Sequence, residues 1–261
     1  MTAATPATTA GRDRATATRL TTALGAAALV GLVVHLVLAL GTTPADRVQR
    51  DAVRLLYVHV PAAWLAYLAF AVTALGSALY LWRRTRARFW DVAAGAAAEL
   101  GVLFTALTLA LGSIWGRATW GVFWTWDARL TTTALLLVLY LGYLALRRVP
   151  ADPEVRARRS AIAALVAFVD VPLVHLSVEW WRTLHQEPTF LRRDLDPTID
   201  TSMAVGLWVS VLAYTLVFAW LLVHRFRVAW LEDRLDDHAL EAALAERRAE
   251  AEVDPELVVS S

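Results

Sequence analysis

YVHVPAAWLAYLAFAVTALGSALYLW, residues 57–82, contains no charged side chain, and Arg83, Arg84, Arg86 and Arg88 follow it at once. About 20 apolar residues in a helix cross a ~30 Å hydrocarbon core, and backbone groups in lipid must find their hydrogen bonds within the segment. The stretch therefore predicts a membrane-crossing helix that stops at a cationic loop. Apolar blocks recur at residues 20–40, 91–113, 131–146, 161–176 and 202–223. The blocks at 131–146 and 161–176 are short for a crossing, so their helices must borrow flanking residues. The expected fold is all-α, a polytopic membrane bundle of six transmembrane helices.

The block at 20–40 has a competing reading as a cleaved leader. The apolar core of a leader runs about 7–15 residues; this block is longer, which favours an uncleaved anchor. Composition agrees with a bilayer environment. The chain is 58% hydrophobic and 19% charged, against about 25% charged residues in soluble domains. A net charge of +1 with no dense basic stripe gives no sign of nucleic-acid binding. With no cysteine, the chain can form no disulfide, no thiolate metal site and no thioether link. Any thiol chemistry belongs to a partner.

Arginine placement sets the expected orientation. Arg147, Arg148, Arg156, Arg158 and Arg159 follow the fourth block, and Arg225 and Arg227 follow the sixth. By the positive-inside bias both termini are cytoplasmic, and loops 41–56, 114–130 and 177–201 face outward. Residues 1–18, rich in Thr and Ala, read as a disordered cytoplasmic tail. Residues 19–224 form the membrane domain, and 225–261 a cytoplasmic tail. In that tail Leu231, Leu235 and Leu240 suggest an amphipathic helix.

The outer loop between the third and fourth blocks holds WGRATWGVFWTWDARL, residues 115–130. One or two tryptophans there would be an ordinary interfacial belt. Here Trp115, Trp120, Trp124 and Trp126 crowd together with Phe123, and Gly116 and Gly121 permit turns and close approach. That density suits a concave aromatic shelf for a large, flat, apolar ligand.

This run resembles the tryptophan-rich "WWD" signature of the haem-handling protein family of cytochrome c biogenesis. Two further segments, YVHVPAAW at 57–64 and VPLVHLSVEWWRTLHQ at 171–186, resemble the haem exporter protein C branch of that family. The resemblance spans residues 20–224 in order. It implies non-covalently bound haem b at the outer face of a bacterial inner membrane. It also implies two partners: a periplasmic haem chaperone that accepts the haem, and an ABC-type ATPase complex of the system I pathway. The chain has no Walker-type loop of its own, and no enzymatic role is expected.

Of the six histidines, His59 lies at the outer start of the second helix and His175 at the outer end of the fifth. Two neutral imidazoles fill both axial positions of a haem iron, and the resemblance assigns that role to His59 and His175. His35 is a reserve candidate, His185 falls in the last outer loop, and His224 and His238 lie at the cytoplasmic side. Arg129, Arg117, Arg54 and Arg182 are candidates for the haem propionates, because guanidinium pairs with carboxylate through two parallel bonds. Asp127 would repel propionates and reads as a loop organiser, paired with Arg129 or capping the fourth helix. Glu99, an acid within the third helix, admits a proton-linked role or a polar packing contact. Asp170, nearer the outer surface, is a candidate to orient a neighbouring group.

Alternative readings are a cytochrome c synthetase-like haem protein, a membrane haem transporter and a cytochrome b-like electron carrier. Synthetases of that kind carry more helices. An electron carrier needs ligands at two depths, whereas the suitable histidines cluster at one. Paired halves, the mark of many transporters, are not evident.

Overall fold

The computed structural model describes residues 18–185 and 199–253. Most of the expected N-terminal tail, residues 186–198 of the last outer loop, and the end of the C-terminal tail lie outside them. The elements are α1 (Arg19–Leu36, continued by a π-helical turn, Val37–Thr42), a 3-10 turn (Asp51–Leu55), α2 (Leu56–Leu81), α3 (Arg88–Trp120), α4 (Ala128–Arg148), α5 (Pro153–Phe168), α6 (Asp170–Trp180) and α7 (Thr201–Val253). Six helical segments are long and apolar enough to cross a membrane, the short blocks having extended to Ala128–Arg148 and Pro153–Trp180. The chain is a polytopic all-α membrane protein.

Local chemistry sets the helix ends. Thr18 caps α1 through a reciprocal pair with Thr21, Asp127 caps α4, and Asp152 caps α5 with Pro153 just inside. Each cap side chain satisfies a backbone N–H that the first turn leaves free. The α3 helix runs on to Trp120, six residues beyond the start expected for the outer loop at 114. Nothing in 114–120 breaks a helix. Gly121, at φ 78°, ends it in the left-handed conformation that glycine adopts freely. The fifth crossing is two helices joined at Val169; Pro172 has no N–H to offer the carbonyl one turn before it. The α7 helix continues through Arg225 without a break, so the expected start of the tail is no structural boundary.

At the centre of the bundle Phe70 of α2 stacks on Tyr140 of α4, with ring centroids 3.6 Å apart, and Leu136, Tyr143, Ala164 and Val174 close around them. The α1 helix lies on α7. Its buried residues Thr21, Ala28 and His35 recur every seven positions on one face, while Leu29, Val30, Val33 and Val37 point outward, as a lipid-facing helix requires.

Ion pairs lock the arginine-rich end. Arg147 of α4 holds Asp91 of α3 at 2.5 and 3.0 Å. Arg225 of α7 holds Glu99 of α3 through two nitrogens, so Glu99 has a packing partner. Arg86 reaches Glu154 at 3.1 Å, Arg88 pairs with Asp233, and Arg156 approaches Asp233 at 3.5 Å. Arg227 donates to Thr18, which puts the start of α1 at this same end.

Candidate functional site

The opposite end is built from the start of α2, the last turns of α3, residues 121–127, the first turn of α4, and α6 with the segment after it. Between them lies a cavity of about 70 Å³ whose polar lining includes His59, Tyr67, Thr108, Arg129, Thr133 and His185. Pockets that enclose drug-sized ligands hold roughly 300–1,000 Å³, so no large flat molecule fits inside while the walls stand as they do.

His59 faces this cavity from the second turn of α2, against Thr108 of α3. Its ring meets Trp115 edge-on at 5.6 Å. A methyl group on Gly112 would lie 2.9 Å from its Cε1, so only glycine leaves the imidazole its place. The Nδ1 atom of His59 is buried and has no hydrogen-bond partner among the described residues. The same holds for Trp124 Nε1 and Arg129 Nε. Native proteins pair nearly all such atoms; other unpartnered atoms lie elsewhere in the bundle, among them Arg156 Nε, Arg159 Nε and Ser160 Oγ, but of these groups His59 and Arg129 are the ones that line the cavity.

His185, placed by the sequence in the last loop, lines the same cavity as His59. Its ring packs edge-on against Trp120 at 4.9 Å, and its Nδ1 lies 3.4 Å from Asp127 Oδ2. Burial holds His185 below the ordinary histidine range, and the Asp127 carboxylate offsets this only in part. The imidazole is therefore neutral near pH 7, the form that binds metals.

His175 stands differently. Its ring faces Tyr67 at 6.3 Å, and its backbone carbonyl accepts a 2.9 Å bond from Arg129, but its side chain is absent from the cavity wall. The structure thus groups His59 with His185 and sets His175 behind Tyr67 and Arg129. His35 is engaged elsewhere, bonded to Ser210 at 2.7 Å within the α1–α7 contact.

The tryptophans divide. Trp115 and Trp120 belong to α3, and Trp115 donates to Gln49, in the loop before α2, at 2.9 Å. Trp124 meets Trp126 edge-on at 5.4 Å. Trp126 is 82% exposed and Phe123 60% exposed, so the rim of the site is aromatic and open. Asp127 caps α4 by accepting from Leu130 N at 2.8 Å, and its Oδ2 meets Thr125 Oγ1 at 3.3 Å and His185 Nδ1 at 3.4 Å rather than Arg129. Of the guanidinium candidates, Arg54 closes the π-helical turn by donating to Ala39 and Leu40, and Arg117 donates to the Gly121 carbonyl and covers Phe123. Arg129 alone of the four lines the cavity. Among the described residues no cluster of three or more His, Cys, Asp or Glu side chains could hold a bare metal ion; two imidazoles need an iron whose other ligands come with it.

The fold and this site define a polytopic helical membrane protein with paired imidazoles and an aromatic rim at one end. The profile of the heme exporter protein C family matches residues 4–241, and the chain belongs to that family. It is 42% identical to heme exporter protein C of Bradyrhizobium diazoefficiens over 176 residues, which are 67% of this chain and 65% of that one. It is 37% identical to heme exporter protein C of Escherichia coli K12 over 205 residues, 78% of this chain and 81% of that one. A putative cytochrome c biosynthesis ccmC-like mitochondrial protein of Arabidopsis thaliana is 36% identical over 176 residues, 67% of this chain and 63% of that one. The matches thus span less than two thirds of the Bradyrhizobium and Arabidopsis proteins.

Proposed function

We propose that this chain handles haem in cytochrome c maturation, holding haem b without a covalent link at the end formed by residues 121–127 and 181–185. The observation that carries the reading is the meeting of His59 and His185 at one cavity beneath an exposed aromatic rim. Two neutral imidazoles are what a six-coordinate haem iron takes. Trp120, Trp124 and Trp126 offer ring faces and edges to the porphyrin. Arg129, with a buried N–H free, suits a propionate. The cavity is smaller than a porphyrin, so loading draws the 181–185 segment away from α2 and α3. That segment is held to α4 by one long contact, His185 to Asp127.

Membership of the family supports export of haem as the task, with release to a periplasmic chaperone assisted by an ABC-type ATPase complex. The arginine-rich end is then cytoplasmic and the haem end faces outward, in a multi-pass inner-membrane topology. The residues 19–224 are the haem-handling unit.

The test is the absorption spectrum of purified protein in detergent, parent against His59→Gly, His185→Gly and His175→Gly, with and without added imidazole. The parent shows low-spin haem. His59→Gly and His185→Gly lose it and regain it with imidazole; His175→Gly keeps it. Tyr67 and Arg129, which line the cavity, both touch His175. A low-spin spectrum lost in His175→Gly and kept in His185→Gly would therefore make His59 and His175 the axial pair. A parent without bound haem would end the reading.

A further inference from the structure

Where α2 ends and α5 begins, three arginines take no part in the ion pairs. Arg83, Arg84 and Arg158 are exposed, and none makes a hydrogen bond or ion pair with any described residue. They stand where two outward-facing stripes end. On α2 the exposed positions Ala71, Leu75, Ala78 and Trp82 follow a spacing of four, three and four, which places them on one helix face. On α5 the exposed positions Val155, Arg158, Ile162, Val166 and Val169 do the same. The two helices are neighbours: Tyr80 of α2 packs on Ala157 and Ala161 of α5, and Arg86 bridges to Glu154. The neighbouring helices therefore present apolar stripes about 16 and 21 Å long at 1.5 Å per residue, enough for one leaflet's chains, which finish in free guanidinium groups beside Trp82, which is 61% exposed.

We infer that the cytoplasmic ends of α2 and α5 form a binding site for one anionic diacyl phospholipid. Its phosphate lies between the Arg83–Arg84 loop and Arg158, and its acyl chains follow the Leu75 and Ile162–Val166 stripes. The chemistry is specific in two ways. Guanidinium donates a planar fork of N–H groups that matches phosphate oxygens. Tryptophan settles at the boundary between headgroup and chains. A zwitterionic lipid presents its own cation beside the phosphate, which three arginines repel. Arg86, Arg88, Arg147, Arg156 and Arg225 at this end hold carboxylates, whereas Arg83, Arg84 and Arg158 are the free guanidinium groups that stand at the ends of the two stripes. The charge complementarity holds on whichever side of the membrane this end lies.

The full chain, reconstituted in lipid nanodiscs, tests this through Trp82. The fluorescence component lost in Trp82→Phe is measured with brominated phosphatidylglycerol and with brominated phosphatidylcholine at equal mole fraction. The glycerol lipid should quench it at least about twofold more strongly. Arg83→Gln/Arg84→Gln/Arg158→Gln should bring the ratio to one, and the corresponding lysine variant should keep most of it. Raised salt should erase the ratio in the parent, because exposed ion pairs are screened; this arm needs no variant to fold. Equal quenching by both lipids in the parent, a ratio that survives in the glutamine variant, or a ratio unchanged by salt would each overturn the site.

Discussion

Replacing Gly112 by alanine adds a single methyl group, and the structure says where it goes. The new Cβ would sit 2.9 Å from His59 Cε1, against at least 3.4 Å for ordinary contact, so the imidazole must retreat by about 0.5 Å. Trp115 blocks one direction of retreat, but the cavity on the other side leaves room. The cost to the fold is thus at the lower end of overpacking, about 1 kcal/mol. Ligation is less forgiving, because a functional constellation loses its fit when a member moves by about 0.5 Å. Haem retention should fall about tenfold, equivalent to roughly 1.4 kcal/mol, with part of the haem leaving the low-spin state. Gly112→Val, whose branched carbon adds atoms toward the same ring, should lose more. Thermal unfolding and haem titration of the purified variants measure the two effects separately. If Gly112→Ala holds haem with parental affinity and spectrum, His59 does not bind from the position described here, and the proposed pair fails with it.

Arg147→Ala leaves Asp91, which is buried, without its cation, and should cost about 3–5 kcal/mol in unfolding experiments; Arg147→Ala with Asp91→Ala should cost less than the single change. Glu99→Gln removes a half-exposed tie to Arg225 and should cost no more than about 1 kcal/mol while leaving the haem spectrum intact. A Glu99→Gln variant that folds normally yet fails to release haem would revive the proton-linked role. His185, held low by burial, adds an acid sensitivity. As pH falls below about 6.5 the unfolded chain takes up the proton before the folded one, so the stability that the neutral ring contributes at pH 7 is lost toward acid. The pH dependence of the melting temperature should therefore be flatter in His185→Gln than in the parent; identical curves would show that His185 titrates freely.

The membrane fold was legible because lipid leaves the backbone few choices. Apolar length announced each crossing, and Asp127 announced a helix start. The join at Val169 was signalled by Pro172, but a proline in a crossing is compatible with a bent helix as well as a broken one. The persistence of α3 to Trp120 was hidden by the tryptophans themselves, which read as loop residues for their chemistry although none of them breaks a helix. The site was half legible. His59 stood out because Pro61 fixed it near a helix start. His175 lies in the fifth crossing and His185 follows it, and periodicity alone does not say which of them lines the cavity. Direction is decided by Tyr67, which His175 covers, and by the turn after Trp181, which returns His185 to Asp127. Such a contact between α4 and a loop has no spacing rule to betray it.

The two ends of the bundle differ in their ion pairs, and this bears on how haem is handled. At the arginine-rich end acids on α3, α5 and α7 find guanidinium partners, so α2, α3, α4, α5 and α7 are fastened to one another. At the other end no such ion pair ties one helix to another among the described residues, and His185 anchors the segment after α6 by a 3.4 Å contact to Asp127 and an edge-on contact with Trp120. His59, Trp124 and Arg129 also keep buried polar atoms without partners there, and a ligand that met them would offset part of that cost. A rigid base confines motion to the end that must open, since regions that open for ligands come from the least stable part of a structure. If a hydrogen-exchange experiment found residues 181–185 as protected as the middle of α3 without haem, and no more protected with it, the opening would have to come from another element, and α1, which contributes no residue to the cavity wall, is no substitute.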